Sequence, residues 1–279
     1  MKTKFFLPAA VFCAVFSGCF SHQEAPERPE TALSVDEALT RRESVQRIIL
    51  NDLTLGEIPA ELASMPHLGI LYLRNTGITN FTGLASLVKI REIDLSGIQM
   101  AAAPEELEAL PELTRLYLSG CSLTAFPKAV EKSASLNYLN LDRNKIETLP
   151  ETLPASLRWL RLNANSLTAL PDAVGSLTDL RRIYLKGNGL SALPDTMASL
   201  TRLEDINLAY NKFTAFPEVL IKLPALRNLD LRGNTAISSL PVKEGDMPAL
   251  RTLTLTGCPL SKEERARVSA ALPNCVINF

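Results

Sequence analysis

Residues 157–165 read Leu-Arg-Trp-Leu-Arg-Leu-Asn-Ala-Asn, and this pattern returns along most of the chain. Branched apolar residues stand at its first, fourth and sixth positions, and a polar residue usually stands at the ninth. Related segments begin at Val45, Leu68, Ile90, Leu113, Leu136, Leu180, Leu203, Leu226 and Leu250, with spacings of 21 to 24 residues. The chain therefore contains nine complete repeats and a shorter tenth. We number the repeats in this order, and each position from the residue that opens its repeat.

Each repeat predicts one short strand, because apolar residues at positions 4 and 6 alternate with polar neighbours and so share a face. A single strand cannot bury that face, but stacked repeats can, with their strands paired in parallel. Position 9 carries Asn144, Asn165, Asn188, Asn211 and Asn234. Their amides can bind backbone groups that the turn leaves without partners.

Proline predicts the character of the opposite side of the stack. It occupies position 15 in seven full repeats and position 16 in the ninth, as Pro59, Pro104, Pro127, Pro150, Pro171, Pro194, Pro217 and Pro241. Because proline cannot donate a ladder hydrogen bond, we expect irregular or briefly helical segments there. The stack should then be curved, with the sheet on its concave side.

These segments resemble the leucine-rich repeat family, whose signature LxxLxLxxN matches nearly every copy over residues 45–279. The resemblance implies an α/β class solenoid, a curved right-handed coil with a parallel concave sheet. A match repeated this often is specific to the fold. The family mostly uses this shape to hold polypeptides, so the resemblance also implies a non-catalytic recognition module.

The first residues are predicted to be a signal rather than part of the fold. Lys2 and Lys4 precede an apolar run, residues 5–16, that is too short to span a bilayer as a helix. The run ends in Phe-Ser-Gly-Cys at 16–19, which resembles the bacterial lipoprotein signal and implies a lipid on Cys19 that attaches the protein to a membrane. An ordinary secretory signal with a chance cysteine stays open.

The resemblance to lipoproteins also implies a place in the cell envelope. Phe20, which follows Cys19, is not the aspartate linked with inner-membrane retention. We therefore expect a lipid-anchored protein of the outer membrane if the source cell is Gram-negative.

The organisation predicted along the chain has five parts. They are a signal peptide at 1–18, a lipidated flexible tether at 19–33, a capping helix at 34–44, the repeats at 45–260 and a C-terminal cap at 261–279. Ser34 and Glu37 form a capping-box pattern at the first helix, and Ser261 is placed to cap a second. A bond between Cys258 and Cys275 is conceivable, but the sequence does not decide it.

Composition excludes several function classes. Hydrophobic residues make up 46% and charged residues 21%, with a formal net charge of -1, which indicates a folded protein and argues against nucleic-acid binding. Two histidines, His22 and His67, and five scattered cysteines provide no clustered metal ligands. Glu92 and Asp94 share a strand but have no base or metal ligand near them in sequence, so we expect no cofactor and no enzyme activity.

Aromatic residues indicate where a partner would bind. All five tyrosines and the only tryptophan fall at positions 2, 3, 5, 7 or 8, which face the concave surface or its rims. Thirteen basic and seven acidic residues share those positions, so that surface carries a net charge of +6. The candidate partner-binding residues are Tyr72, Arg115, Tyr117, Tyr138, Trp159, Arg161, Arg182, Tyr184 and Tyr210.

Two functions follow from these residues. Tyrosine, tryptophan and arginine are favoured at protein interfaces, so the first is recognition of a protein partner. The alternative is an envelope glycan or acidic polymer bound on the aromatic platform. A third interpretation needs no ligand at all, because aromatic residues are also common on exposed strand faces.

Overall fold

The computed structural model describes residues 29–279, which form one open sheet of twelve parallel strands in sequence order. The strands are β1 Thr31–Ala32, β2 Arg47–Ile49, β3 Ile70–Tyr72, β4 Glu92–Asp94, β5 Arg115–Tyr117, β6 Tyr138–Asn140, β7 Trp159–Arg161, β8 Arg182–Tyr184, β9 Asp205–Asn207, β10 Asn228–Asp230, β11 Thr252–Thr254 and β12 Val276–Asn278. Every neighbouring pair is parallel, so the prediction of a repeat solenoid with a parallel sheet is confirmed.

Short 3-10 helices line the side of the stack opposite the sheet. They span Ala60–Ser64, Thr82–Ser86, Glu105–Ala109, Lys128–Val130, Asp172–Ser176, Asp195–Ser199 and Glu218–Lys222. Six of them start directly after a position-15 proline, while Pro150 and Pro241 precede none. The expectation of briefly helical segments is thus confirmed, and the fifth repeat, residues 136–156, crosses this side without a helix.

The core consists of the apolar side chains that the repeat pattern predicts. The middle residue of each strand from β2 to β11 is buried, while its two neighbours are partly or fully exposed. Phe126, Phe213 and Phe216 pack inward from the opposite side and are also buried. We call the solvent-facing surface formed by the first and third residues of β2 to β11 the open face.

The position-9 asparagines form the predicted ladder. Asn188 Nδ2 donates to the carbonyl oxygens of Leu162 and Leu185, both at 2.9 Å. Its Oδ1 accepts from the backbone N–H of Leu167 at 3.1 Å. The other four asparagines make equivalent bonds, so one side chain per repeat pairs with backbone groups of two repeats.

A left-handed backbone residue follows each strand of the ten repeats. Position 8 has a positive φ throughout, at Asp52, Asn75, Gly97, Gly120, Arg143, Ala164, Gly187, Tyr210, Gly233 and Gly257. Glycine adopts this conformation without steric cost, whereas other L-residues are strained there by roughly 1–2 kcal/mol. Five repeats have glycine at this position and five do not.

The N-terminal boundary differs from the prediction. The predicted flexible tether at 19–33 is wrong at its C-terminal end. Thr31 and Ala32 form β1, which pairs with β2, and Ala32 is fully buried. Arg41 holds this segment by donating to Glu30 Oε1 at 3.0 Å and to the Thr31 carbonyl at 3.1 Å. A strand can join a sheet through backbone bonds alone, so the segment orders without large apolar side chains.

Two helices flank the repeats. Helix α1, Val35–Thr40, is shorter than the predicted 34–44, and Ser34 Oγ accepts from the N–H of Glu37 at 3.0 Å. Helix α2, Lys262–Ala271, is capped in the same way by Ser261. No helix among residues 29–279 has the length and apolar character needed to cross a bilayer. The predicted signal peptide and Cys19 lie outside the described residues.

Candidate functional site

Four aromatic rings meet in the middle of the open face, contributed by four consecutive strands, β5 to β8. Tyr117 and Tyr138 have ring centroids 4.9 Å apart, Tyr138 and Trp159 5.3 Å, and Trp159 and Tyr184 6.2 Å. The last two pairs meet edge to face, a favoured geometry that contributes about 0.5–1.5 kcal/mol per pair beyond area burial. We call Tyr117, Tyr138, Trp159 and Tyr184 the aromatic cluster.

The strand register explains why these rings touch. Tyr138 and Trp159 are the first residues of β6 and β7 and lie directly opposite each other. Tyr184 ends β8 and is diagonal to Trp159, across the Arg161–Tyr184 pair. Because strands in a sheet are about 4.8 Å apart, rings at these positions are within reach although 21 or more residues separate them in sequence.

Two arginine side chains from β7 and β8 support the rings of the aromatic cluster. The guanidinium carbon of Arg182 lies 4.5 Å from the Trp159 ring centroid, and that of Arg161 lies 5.6 Å from the Tyr184 ring centroid. Each guanidinium also pairs with a carboxylate, Arg161 with Asp142 at 2.6 Å and Arg182 with Asp205 at 3.0 Å. These arginines are therefore fixed supports for the rings.

The tyrosine hydroxyls of the cluster are held neutral. Burial raises the pKa of Tyr117 to about 12, with a smaller contribution from the Glu92 carboxylate. Burial also raises the pKa of Tyr138 and of Tyr184. The cluster is therefore uncharged at physiological pH, as free tyrosine is, and stays uncharged further into the alkaline range; its hydroxyl groups can donate or accept hydrogen bonds.

The Trp159 indole has an unusual environment. Its Nε1 is buried and has no hydrogen-bond acceptor among the described residues. Leaving a buried donor unpaired costs about 1–3 kcal/mol. The fold therefore keeps an energetically unfavourable group at the centre of the aromatic cluster.

Tyr72 stands apart from the aromatic cluster. Its hydroxyl donates to Glu92 Oε1 at 2.6 Å, and Glu92 also pairs with Arg115 at 3.5 Å. Burial and this hydrogen bond raise the pKa of Tyr72. Tyr72 and Arg115 therefore form a polar network with Glu92 on the N-terminal side of the cluster.

Tyr210 lies at the edge of the open face, three residues past the end of β9, in the left-handed conformation with φ of 55°. Its side chain is exposed, with 53% of the residue surface accessible. Lys186 Nζ lies 5.3 Å from the ring centroid, and the other side of the ring contacts Gly233, where a Cβ atom would come within 2.5 Å. Tyr210 is thus separate from the aromatic cluster.

The sequence analysis missed a polar groove next to Tyr184. The groove has a volume of about 240 Å³ and crosses β9 to β11. Its polar lining comes from Asp205, Asn207, Asn228, Asp230, Thr252 and Thr254. These residues occupy positions 3 and 5 of the eighth to tenth repeats, so the same position count that located the tyrosines could have found them.

Many arginines on and beside the open face are paired with carboxylates, which the simple charge count does not show. Six of the basic groups counted in the sequence pair with neighbouring carboxylates, namely Arg115, Arg161, Arg181, Arg182, Arg227 and Arg232. The sequence could not reveal this, because the partner carboxylates lie one repeat away in most of these pairs.

The cysteines of the repeats have structural positions. Cys121 and Cys258 are buried, and Cys275 is partly buried; all three are free thiols, so the conceivable Cys258–Cys275 bond is not formed. Burial raises the pKa of Cys121 to about 11, which makes its thiol unreactive. Within residues 29–279, no group of three or more His, Cys, Asp or Glu side chains is placed to hold a metal ion.

Two family models match the chain. A leucine-rich repeat region matches residues 155–279, and a leucine rich repeat model matches residues 111–167. Comparison with curated protein sequences gives no match.

Several solved structures share the fold. An internalin from Listeria monocytogenes superposes with a TM-score of 0.74 at 20% identity, over 88% of this chain and 70% of that one. A leucine-rich repeat protein of Leptospira interrogans gives 0.52 at 19% identity, over 90% of this chain and 100% of that one. A plant peptide hormone receptor in complex with RGF2 gives 0.64 at 22% identity, over 78% of this chain and 37% of that one. By its repeats, its sheet and these matches, the chain belongs to the leucine-rich repeat family.

Proposed function

We propose that this protein is an exported, lipid-anchored recognition module without catalytic activity, and that its open face binds a polypeptide partner. The aromatic cluster is the observation that carries this proposal. Its four rings form a continuous aromatic platform, and most of the other side chains on the open face are charged or polar. Tyrosine and tryptophan are enriched among residues that dominate binding energy.

Two observations favour a polypeptide partner: the fold, and the arginines that hold the rings in place. Leucine-rich repeat structures typically act as protein-binding modules, and the plant receptor in complex with RGF2 is a relative in fold. Arg161 and Arg182 fix the rings before any partner arrives, which reduces the side-chain entropy that binding would cost.

The envelope location rests on the N-terminal sequence. Residues 16–19 and the apolar run before them support lipidation at Cys19, and residues 20–30 would then separate the lipid from β1. Replacing Cys19 by serine should release the protein from the membrane fraction if this assignment is right. Equal membrane retention of the two proteins would contradict it.

The binding proposal is tested by capturing partners from surface extracts with the immobilised protein. The double variant Tyr138→Ala, Trp159→Ala removes the centre of the aromatic cluster, and we expect it to lose the captured partner. The matched control is Lys128→Ala, Glu131→Ala on the opposite side of the stack, which should bind like the wild type. Equal losses in both variants, with both proteins folded, would contradict the proposal.

The polar groove favours one second candidate, an envelope glycan. Carboxylate, amide and hydroxyl groups of the groove can bind sugar hydroxyls, and the Tyr184 ring forms part of its wall. Binding of a neutral oligosaccharide should be nearly independent of ionic strength and should be lost in Asn228→Ala, which removes a groove amide. No binding of neutral oligosaccharides would exclude this candidate.

A further inference from the structure

Beyond the sheet, the open face is bordered by a rim of turns in which unpaired positive charge accumulates. The rim consists of the side chains at positions 7, 8 and 10 of each repeat. Neighbouring repeats touch along it: Asn75 Nδ2 donates to Asp52 Oδ1 at 2.8 Å in the first two repeats. Further along, the backbone N–H of Arg143 donates to the Asn163 carbonyl and that of Ala164 to the Lys186 carbonyl, both at 2.7 Å, so the rim is continuous there too.

Charge is distributed unevenly along this rim. In the first four repeats it carries one acid and one base, Asp52 and Arg74. In the fifth to eighth repeats it carries Arg143, Lys145, Lys186 and Lys212, all exposed. None of these four forms an ion pair among the described residues, in contrast to most arginines of the central sheet.

The local acid does not neutralise this charge. Asp142 is the one carboxylate at the rim positions of the fifth to eighth repeats. It is buried, and both of its oxygens are occupied by Arg161 and by the backbone N–H of Asn163. The four cations therefore keep their full charge toward solvent.

An exposed aromatic ring lies within this row of cations. Tyr210 has Lys186 on one side and precedes Lys212 by two residues in the same turn. A bulky residue in the left-handed region is uncommon, and such strain tends to persist at functional sites. Glycine fills the same position in five other repeats, so the fold itself does not require the ring.

The spacing of these groups fits an extended polypeptide. From the fifth to the eighth repeat the rim covers three strand spacings, or about 14 Å. An extended chain covers this distance in about four residues, and its alternate side chains point the same way. Two acidic side chains flanking one apolar residue would match the cations and the Tyr210 ring.

We infer that the rim patch, formed by Arg143, Lys145, Lys186, Tyr210 and Lys212, binds an acidic extended segment of the partner protein. This inference rests on the proposed function, because it specifies the chemistry of the polypeptide that the open face recognises. The partner then has two features, an apolar element on the aromatic cluster and glutamate or aspartate residues on the rim patch.

The test uses a fluorescein-labelled peptide with alternating glutamates around one leucine, measured by fluorescence polarisation at low ionic strength. The triple variant Arg143→Gln, Lys186→Gln, Lys212→Gln should weaken binding by about tenfold, as expected for the loss of three exposed charge pairs. The matched control Arg158→Gln, Lys222→Gln, Arg251→Gln removes the same charge from exposed cations that also lack ion pairs and should change binding less than twofold.

A second variant separates binding from folding. Tyr210→Gly removes the ring and relieves the left-handed strain, so it should weaken peptide binding without lowering thermal stability. The inference is overturned if the wild type does not bind the peptide, if it binds an otherwise identical glutamine peptide equally well, or if the control variant loses as much affinity. It is also overturned if the patch binds phosphatidylglycerol vesicles or polyphosphate but not the peptide.

The outcome also distinguishes the two proposals. A partner that is captured through Trp159 but binds the triple rim variant unchanged refutes the rim inference alone. A partner that is lost in the rim variant but not in the Tyr138, Trp159 double variant refutes the role of the aromatic cluster.

Discussion

Arg182 lies between Trp159 and Asp205: its guanidinium carbon is 4.5 Å from the indole centroid, and its Nε is 3.0 Å from the Asp205 carboxylate. A cation over an indole contributes about 0.5–2 kcal/mol, depending on exposure. Trp159 is the only tryptophan of the chain, so intrinsic fluorescence reports on this contact directly.

Replacing Arg182 by glutamine should change the Trp159 emission and weaken partner binding several-fold, because the indole loses its cation and its restraint. Fluorescence spectra of the folded proteins measure this effect. Arg227→Gln is a suitable control, since that side chain is 62% exposed and its ion pair with Glu204 is long, at 4.0 Å. Identical spectra for wild type and Arg182→Gln would show that the contact does not hold the ring.

The asparagine ladder predicts a clear stability effect. Asn188→Ala should lower the free energy of unfolding by about 1–3 kcal/mol, because two carbonyls and one N–H lose their partner. Chemical denaturation measures this loss, provided that the slope of the free energy of unfolding against denaturant concentration is the same in both proteins. Asn274→Ala, at an exposed position of the C-terminal cap, should change stability by only a few tenths of a kcal/mol. A similarly small change for Asn188→Ala would mean that the ladder contributes nothing.

The turn at position 8 predicts a stabilising substitution. Ala164 has a φ of 53°, so Ala164→Gly should raise the free energy of unfolding by about 0.5–1 kcal/mol, the strain relieved less the added entropy of glycine. Gly233→Ala should do the opposite, because its φ is 71° and the new Cβ would meet the Tyr210 ring. Thermal unfolding distinguishes the two, and destabilisation by Ala164→Gly would contradict the argument.

Alkaline unfolding should reflect the partly buried hydroxyl of Tyr117. Its pKa is about 12 in the folded chain and near 10 when unfolded, so ionisation is disfavoured by folding. The stabilising contribution is complete below pH 10 and is lost as the pH rises toward 12. In Tyr117→Phe the free energy of unfolding should fall less steeply over this interval. A slope equal to that of the wild type would show that the hydroxyl titrates normally.

The repeat spacing was sufficient to predict the sheet, the buried leucines and the asparagine ladder, because each depends only on residue type and position within a repeat. The N-terminal edge strand of the sheet, β1, was not predictable from residue type and position in a repeat. Ala32 adds a strand through backbone bonds and a small buried side chain, which leave almost no signal in composition. Likewise, Pro150 has the same position as Pro171, yet only Pro171 precedes a helix.

For the candidate site, position counting placed Tyr117, Tyr138, Trp159 and Tyr184 on one surface. It could not show that Arg161 and Arg182 are held by carboxylates, since side-chain direction decides which neighbour is reached. The partner-binding roles of all these residues remain predictions.

The fifth repeat is 21 residues long and has no 3-10 helix, yet Tyr138 and Trp159 remain in register across it. Length variation is thus absorbed on the back of the stack without disturbing the strands. Evolution, or an engineer, can shorten or lengthen the back of one repeat while the binding residues in front diversify independently.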